Sequence, residues 1–309
     1  MTQHGNVARK GDVNESDVPT AAFGRRQFMR MAANTAVALA TPFIVTARAA
    51  PPVFQFGLTP VFLNSDLVLL EALQKYLSVA MAMDVRLVLK RTYQEITSQL
   101  ISGQLDAAWI CGFPFVAYRP QLDLVAVPVW RGRNTYQSYL ITDKARLGVQ
   151  IDDLKGDIHA FSDPDSNSGF LVTRALLAER QTQPESFFAR TFFTYGHRNV
   201  VRAVASGLAQ SGSVDGYVWE VMRETEPNLT NLTQVSWRSE WMGFPPIATA
   251  VSNTATDNIQ RLRRALLDMP NDQTGREVLS LLRLDGFAAA DPQIFDSIAA
   301  RVELVRRAG

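Results

Sequence analysis

Cys111 is the only cysteine in a chain of 309 residues. It follows the apolar run Asp106-Ala-Ala-Trp109-Ile110 and precedes Gly112-Phe-Pro114. A lone thiol cannot close an internal disulfide. It serves either as a small buried hydrophobe or as a soft ligand atom. Three further places could do chemistry. In Asp163-Pro-Asp-Ser166-Asn167-Ser168-Gly169, Ser166 and Ser168 are helix-capping types placed just before a helical pattern. The free N–H groups of such a first turn can hold oxyanions or polarised hydroxyls without any Lys or Arg; an ordinary capped helix is the competing account. Gly196-His197-Arg198-Asn199 opens a second helix, where an imidazole stays neutral and can exchange hydrogen bonds with a ligand, or simply hold a loop. Asp215 ends another apolar run and could accept from ligand hydroxyls, or lie exposed. Tyr93, Trp109, Phe113, Tyr136 and Trp219 are candidates for a cleft wall or for plain core packing. The three histidines, His4, His159 and His197, are scattered, so neither a zinc site nor any other cofactor is expected.

The elements that must position these groups follow from periodicity. Residues 53–57 and 84–89 read as strands, and 66–81 and 93–103 as amphipathic helices. Residues 106–110 read as a buried strand, a helical segment follows, and then comes the strand 122–130. This strand–helix alternation predicts an α/β lobe with a mainly parallel sheet. A second unit of the same style follows: strands 137–142, 157–161, 192–195 and 213–219, with helices 170–181, 200–208 and 219–224. A strand within 244–251 returns to the first lobe, and helices 257–269, 273–283 and 291–306 close the chain. The expected fold class is α/β: two lobes joined by two crossings, near 139–142 and 244–248, with a hinged cleft between them. Lobe 1 is 50–140 plus 247–309, and lobe 2 is 141–246.

Residues 1–49 stand apart. Arg25-Arg26-Gln-Phe28 precedes a short apolar run ending in Ala47-Arg48-Ala49. The order of basic, apolar and small residues marks a signal peptide, and the arginine pair resembles the twin-arginine signal, which exports folded proteins to the periplasm. Without 1–49, which hold six of the 31 basic and three of the 30 acidic side chains, the chain carries 25 positive and 27 negative groups, a formal −2. Such a balance offers no basic field for nucleic acid.

Taken in order, Gly103-Gln-Leu-Asp106-Ala-Ala-Trp109, Asp153-Leu-Lys-Gly156, the 161–169 segment, Tyr195-Gly196-His197 with Ala203-Val-Ala-Ser-Gly207, and Val214-Asp215-Gly216 resemble the phosphonate-type periplasmic substrate-binding proteins over most of 53–295. The resemblance implies a two-lobed clamp of the type II periplasmic-binding-protein kind that closes on a small oxyanion, with Ser166, Asn167, Ser168, Gly169, His197 and Asp215 around it; Tyr136 and Trp109 are the aromatic candidates for its wall. Asn167 stands where the family has Thr, and Cys111 where it has a small residue. The thiol resembles the arsenite-sensing branch, in which a cysteine of this segment binds arsenic and the protein partners a membrane histidine kinase. Arsenite is a neutral trihydroxide with a soft centre that prefers sulfur. The expectation is therefore a periplasmic arsenite receptor, not an enzyme, with Cys111 as the arsenic ligand. The alternative is the receptor of an ABC permease importing phosphonate, phosphite or phosphate. A cysteine hydrolase built on Cys111, His197 and Asp215 would need a thiol–imidazole hydrogen bond, which opposite lobes would deny it.

Overall fold

A computed structural model describes residues 53–61, 66–146 and 149–308. The proposed leader lies outside them. The chain runs β1 (Phe54–Leu58), α1 (Leu67–Met81), β2 (Val85–Leu89), α2 (Tyr93–Ile101), β3 (Ala107–Trp109), α3 (Gly112–Ala117) and β4 (Leu122–Val129). It then crosses through β5 (Thr135–Tyr136) into β6 (Ser138–Asp143), β7 (Ile158–Phe161), α4 (Val172–Ala178), α5 (Pro184–Phe187), β8 (Arg190–Phe193), α6 (His197–Ala205), β9 (Ser211–Asp215), α7 (Gly216–Thr225), α8 (Pro227–Thr230) and β10 (Thr233–Arg238). It returns through β11 (Met242–Gly243) to β12 (Ile247–Ala250), α9 (Asp257–Asp268), α10 (Gln273–Leu282), β13 (Gly286–Ala288) and α11 (Asp296–Ala308).

Two sheets form the two lobes of an α/β clamp. The first has the order β13-β4-β12-β3-β1-β2, the second β10-β6-β9-β7-β8. Neither is mainly parallel. β1 pairs in parallel with β2 and β3, but β12 is antiparallel to both its neighbours, and β13 to β4. The reason is topological: β12 re-enters from the far lobe and slots in against the direction of β3. The crossings are also displaced from their expected places. Residues 138–143 lie inside the second sheet, between β9 and β10, and the strands that link the lobes are the antiparallel ribbon of β5 and β11.

Local chemistry sets the helix starts. Thr92 and Glu95 form a reciprocal capping box at α2, with Glu95 N–H donating to Thr92 Oγ1 and Thr92 N–H to Glu95 Oε2. The run 213–219, expected as one strand, breaks at Asp215, whose carboxylate caps α7, so Tyr217 and Trp219 are helical. The helix expected over 200–208 begins three residues earlier, at His197. The edge strand β10 was not evident from Thr233-Gln-Val-Ser-Trp-Arg238, whose alternate residues are polar. One buried apolar cluster runs through both lobes, and a smaller one built on Leu140, Leu154, Phe161 and Phe188 lies in the second.

His159 belongs to that second lobe's interior. Its two ring nitrogens each lie 2.8 Å from a serine hydroxyl, of Ser211 and Ser213, and Phe188 stacks on it at 4.2 Å. Burial lowers its pKa to about 3, against about 6.5 in an unfolded chain. The unfolded state therefore binds one more proton than the native state between these values, and stability falls as the pH drops from about 6.5 towards 3. His159→Gln should keep both hydroxyl partners but flatten this acid limb. Urea unfolding at pH 4, 5 and 6 should give a slope smaller than wild type by roughly 1.4 kcal/mol per pH unit; equal slopes would refute the assignment.

Candidate functional site

Five strand-to-helix turns converge between the lobes: those before α2, α3, α6 and α7, and the turn at Asn167–Leu171, a π-helical turn leading into α4. The ligand groups of open α/β sheets gather at such carboxyl ends of strands.

Cys111 is the residue before α3 in the first lobe, and it is buried. Its sulfur accepts the backbone N–H of Asn167, from the second lobe, at 3.2 Å. The Asn167 side-chain amide donates to the Tyr136 hydroxyl at 2.9 Å and to the Met242 sulfur at 3.4 Å. Both partners sit on the β5–β11 ribbon. Ser166 caps the turn, accepting from Gly169 N–H at 2.9 Å, and Ser138 Oγ donates to the Ser168 carbonyl at 2.6 Å. The turn that could offer N–H groups to an oxyanion has therefore committed two of them, one to its own cap and one to the thiol. Gly169 is required here, because a Cβ on it would lie 1.8 Å from Ser162 Oγ and 2.9 Å from His197 Cε1.

His197 is buried, and its Nδ1 accepts the Asp215 backbone N–H at 3.0 Å. That bond fixes the neutral tautomer with the proton on Nε2. Burial lowers the ring's pKa to about 3, in keeping with a neutral donor. Asp215 Oδ1 accepts from Tyr217 and Val218 N–H at 2.8 and 3.3 Å, so this oxygen caps the start of α7. Burial raises its pKa to about 7 against those two bonds. Trp109 is held in the first lobe, with its indole N–H on the Pro245 carbonyl and its ring against Phe287. Trp219 is no cleft wall: its indole donates to Thr233 and its ring meets Tyr139 in the second lobe.

The structure brings to the site Tyr93, a candidate wall aromatic, together with two residues not singled out from the sequence, Asp163 and Met242. Asp163, in the second lobe, accepts Tyr93 N–H at 3.3 Å from the first lobe and Asp165 N–H at 2.9 Å from its own. Burial raises its pKa. Tyr93 is fully buried, and its hydroxyl pKa is pushed far up by that burial and then by Cys111, Asp163, Asp215 and Tyr136 around it. Met242 touches Asn167 as described. The position of Tyr93 directly after a capping box was the available signal for it; nothing in the sequence marked Asp163 over Asp165.

At the site, four buried side-chain atoms have no hydrogen-bond partner: Tyr93 Oη, Ser162 Oγ, Asn167 Oδ1 and Ser168 Oγ, the last lying beside the Tyr136 hydroxyl without a bond of good geometry. Buried polar atoms are normally paired, and an unpaired one costs about 1–3 kcal/mol. The charges that bear on the Cys111 thiol are the carboxylates of Asp215 and Asp163, and burial above all pushes its pKa up to about 12. Cys111 is thus a neutral thiol. Cys111 and His197 share no hydrogen bond, the sulfur's partner being Asn167 and the Nδ1 partner Asp215. Among the described residues no group of three or more His, Cys, Asp or Glu could hold a metal ion.

A family model described as the phosphonate periplasmic substrate-binding protein of ABC transporters matches residues 56–295. Among solved structures, the binding-protein component of an ABC phosphonate transporter from Pseudomonas aeruginosa superposes with a TM-score of 0.76 at 22% identity, covering 84% of this chain and 88% of that one. PhnD1 from Prochlorococcus marinus, in complex with methylphosphonate, gives 0.74 at 17%, covering 84% and 100%. A histidine-kinase sensor domain with similarity to periplasmic binding proteins gives 0.52 at 14%, covering 75% of this chain and 96% of that one. At these identities the likeness is one of fold.

Gly169→Ala should make the packing around Ser162 and His197 impossible without moving one of them. Chemical denaturation should show a loss of about 1–3 kcal/mol, accompanied by loss of ligand binding; unchanged stability and binding would contradict the close approach.

Proposed function

This chain belongs to the phosphonate family of periplasmic substrate-binding proteins of ABC transporters, and on that premise we propose that its ligand is arsenite, taken up by Cys111 as a neutral oxyacid. The family binds solutes and is not an enzyme family. The observation that carries the finer reading is the character of the site: a neutral thiol, two carboxylates and the acceptor-only Asn167 Oδ1, with no cation among the charges acting on the sulfur. A dianion would meet no cation among the charges acting on the sulfur, and it would bring no donor to Asn167 Oδ1. A trihydroxide brings donors.

Binding balances without an external base. The Cys111 sulfur attacks arsenic, a sulfur–arsenic bond forms, one arsenic–oxygen bond breaks, and the thiol proton leaves with that hydroxyl as water. The Asn167 N–H stabilises charge developing on sulfur. The remaining two hydroxyls can reach Asn167 Oδ1 and the hydroxyls of Tyr93 and Ser168. The closed clamp then signals to a membrane histidine kinase in the periplasm, after export by the twin-arginine route. The same two-lobed fold serves both import receptors and a kinase sensor domain, so the fold accommodates either partner.

Family membership favours a second reading, capture of phosphonate, phosphite or phosphate for an ABC permease. Its support is the matched family and the hydroxyl-bearing turn at Ser166–Gly169.

Calorimetry of the protein with arsenite, phosphite and methylphosphonate separates the two. We expect arsenite to bind and Cys111→Ala to weaken it by about 100-fold or more, about 3 kcal/mol. Methylphosphonate bound tightly by both wild type and Cys111→Ala, with no arsenite heat, would reject the arsenite reading in favour of import. Asn167→Thr should shift preference towards phosphorus oxyanions, since it exchanges an acceptor-only carbonyl for a hydroxyl that can donate; an unchanged ratio of affinities would remove Asn167 from the selectivity argument.

A further inference from the structure

We propose that α7 carries an ionic latch that holds the two lobes shut before any ligand arrives. Its N-terminus is at the site, through Asp215 and Gly216. Farther along, the same helix turns Tyr217, Glu220 and Glu224 towards the first lobe, at the three- and four-residue steps of one helical face. Three groups of the first lobe meet them. Arg131 reaches Glu220 at 3.5 Å and Glu224 at 3.6 Å. Arg283 reaches Glu224 at 3.4 Å. The Leu282 carbonyl accepts the Tyr217 hydroxyl.

Both arginines belong to the first lobe by independent evidence. The Arg131 turn is tied down through Gly132 N–H, which donates to Asp285 Oδ2 at 2.7 Å, and Asp285 N–H donates to the Val129 carbonyl of β4. Arg283 ends α10. Each has a left-handed backbone, with φ of 49° and 56°. Such positions favour glycine, yet arginine occupies both, and both face one pair of glutamates. On the other side, Glu220 is almost fully buried and is oriented from within its own lobe, by Arg223 at 2.7 Å and by the Tyr139 hydroxyl at 3.3 Å. The acceptor is therefore pre-set, and the cations arrive only when the lobes close.

A single exposed ion pair contributes little, but three contacts that all form or break with one rigid-body motion act together. The latch exists whatever the ligand is, so its test does not depend on the arsenite reading. Because the pairs are half-exposed, salt should weaken them, and a closed population sensitive to salt in ligand-free protein is the signature.

Single-molecule energy transfer between dyes on the two lobes, attached through unnatural amino acids so that Cys111 is untouched, reads the closed fraction directly. At 20 mM salt the ligand-free protein should be mainly closed, and at 500 mM the closed fraction should fall about threefold or more. Arg131→Gln with Arg283→Gln should give the low value at both salt concentrations, with an unaltered melting temperature excluding misfolding. Glu224→Gln, which removes the shared partner of both arginines, should likewise lower the closed fraction at 20 mM salt. A wild-type protein already open at 20 mM salt, or a closed fraction indifferent to both salt and these substitutions, overturns the latch.

Discussion

One backbone N–H, that of Asn167, rests on one sulfur, that of Cys111, and the two come from opposite lobes. This contact joins the two lobes directly at the site, beside that of Tyr93 N–H with Asp163. A thiolate in that place would be desolvated on all sides and would face two carboxylates, so the sulfur remains protonated. The lobes thus meet at a neutral group, and the direction of one hydrogen bond sets their contact there.

The carboxylates near the sulfur are engaged in architecture. Asp215 holds two N–H groups of α7, and Asp163 joins the start of α2 in one lobe to its own turn in the other. His197 is locked into one tautomer by the backbone of Asp215. Each potentially charged group is thereby neutral or already paired, and the atoms left over are uncharged: Tyr93, Ser162, Asn167 and Ser168. The N–H groups of Asn167 and Gly169 are committed too, to the Cys111 sulfur and to Ser166 Oγ.

The fold class and most of the site could be read from residue types, since strand-to-helix turns rich in Ser, Gly, Asn and Asp are local signals, and the approximate meeting of Cys111 with the 166–169 turn follows from two lobes folding on each other. What could not be read is which polar atom each group uses. Asp215 in sequence is an available acceptor; only the backbone path of α7 reveals it as a cap. Trp219 looked like a cleft aromatic until helix 216–225 carried its ring away to Thr233. The antiparallel strands of the first sheet were illegible for a different reason. Direction within a sheet is decided by where the chain re-enters, and the local run Ile247–Ala250 carries no trace of it. Asp163 escaped notice because its partner, Tyr93, is seventy residues away.

The ribbon that joins the lobes has two residues on each strand, and Tyr136 and Met242, which hold the Asn167 side chain, are among them. Asn167 therefore lies at the strands about which any opening of the lobes would turn, where a displacement is smallest and its lever to the far ends of the lobes longest.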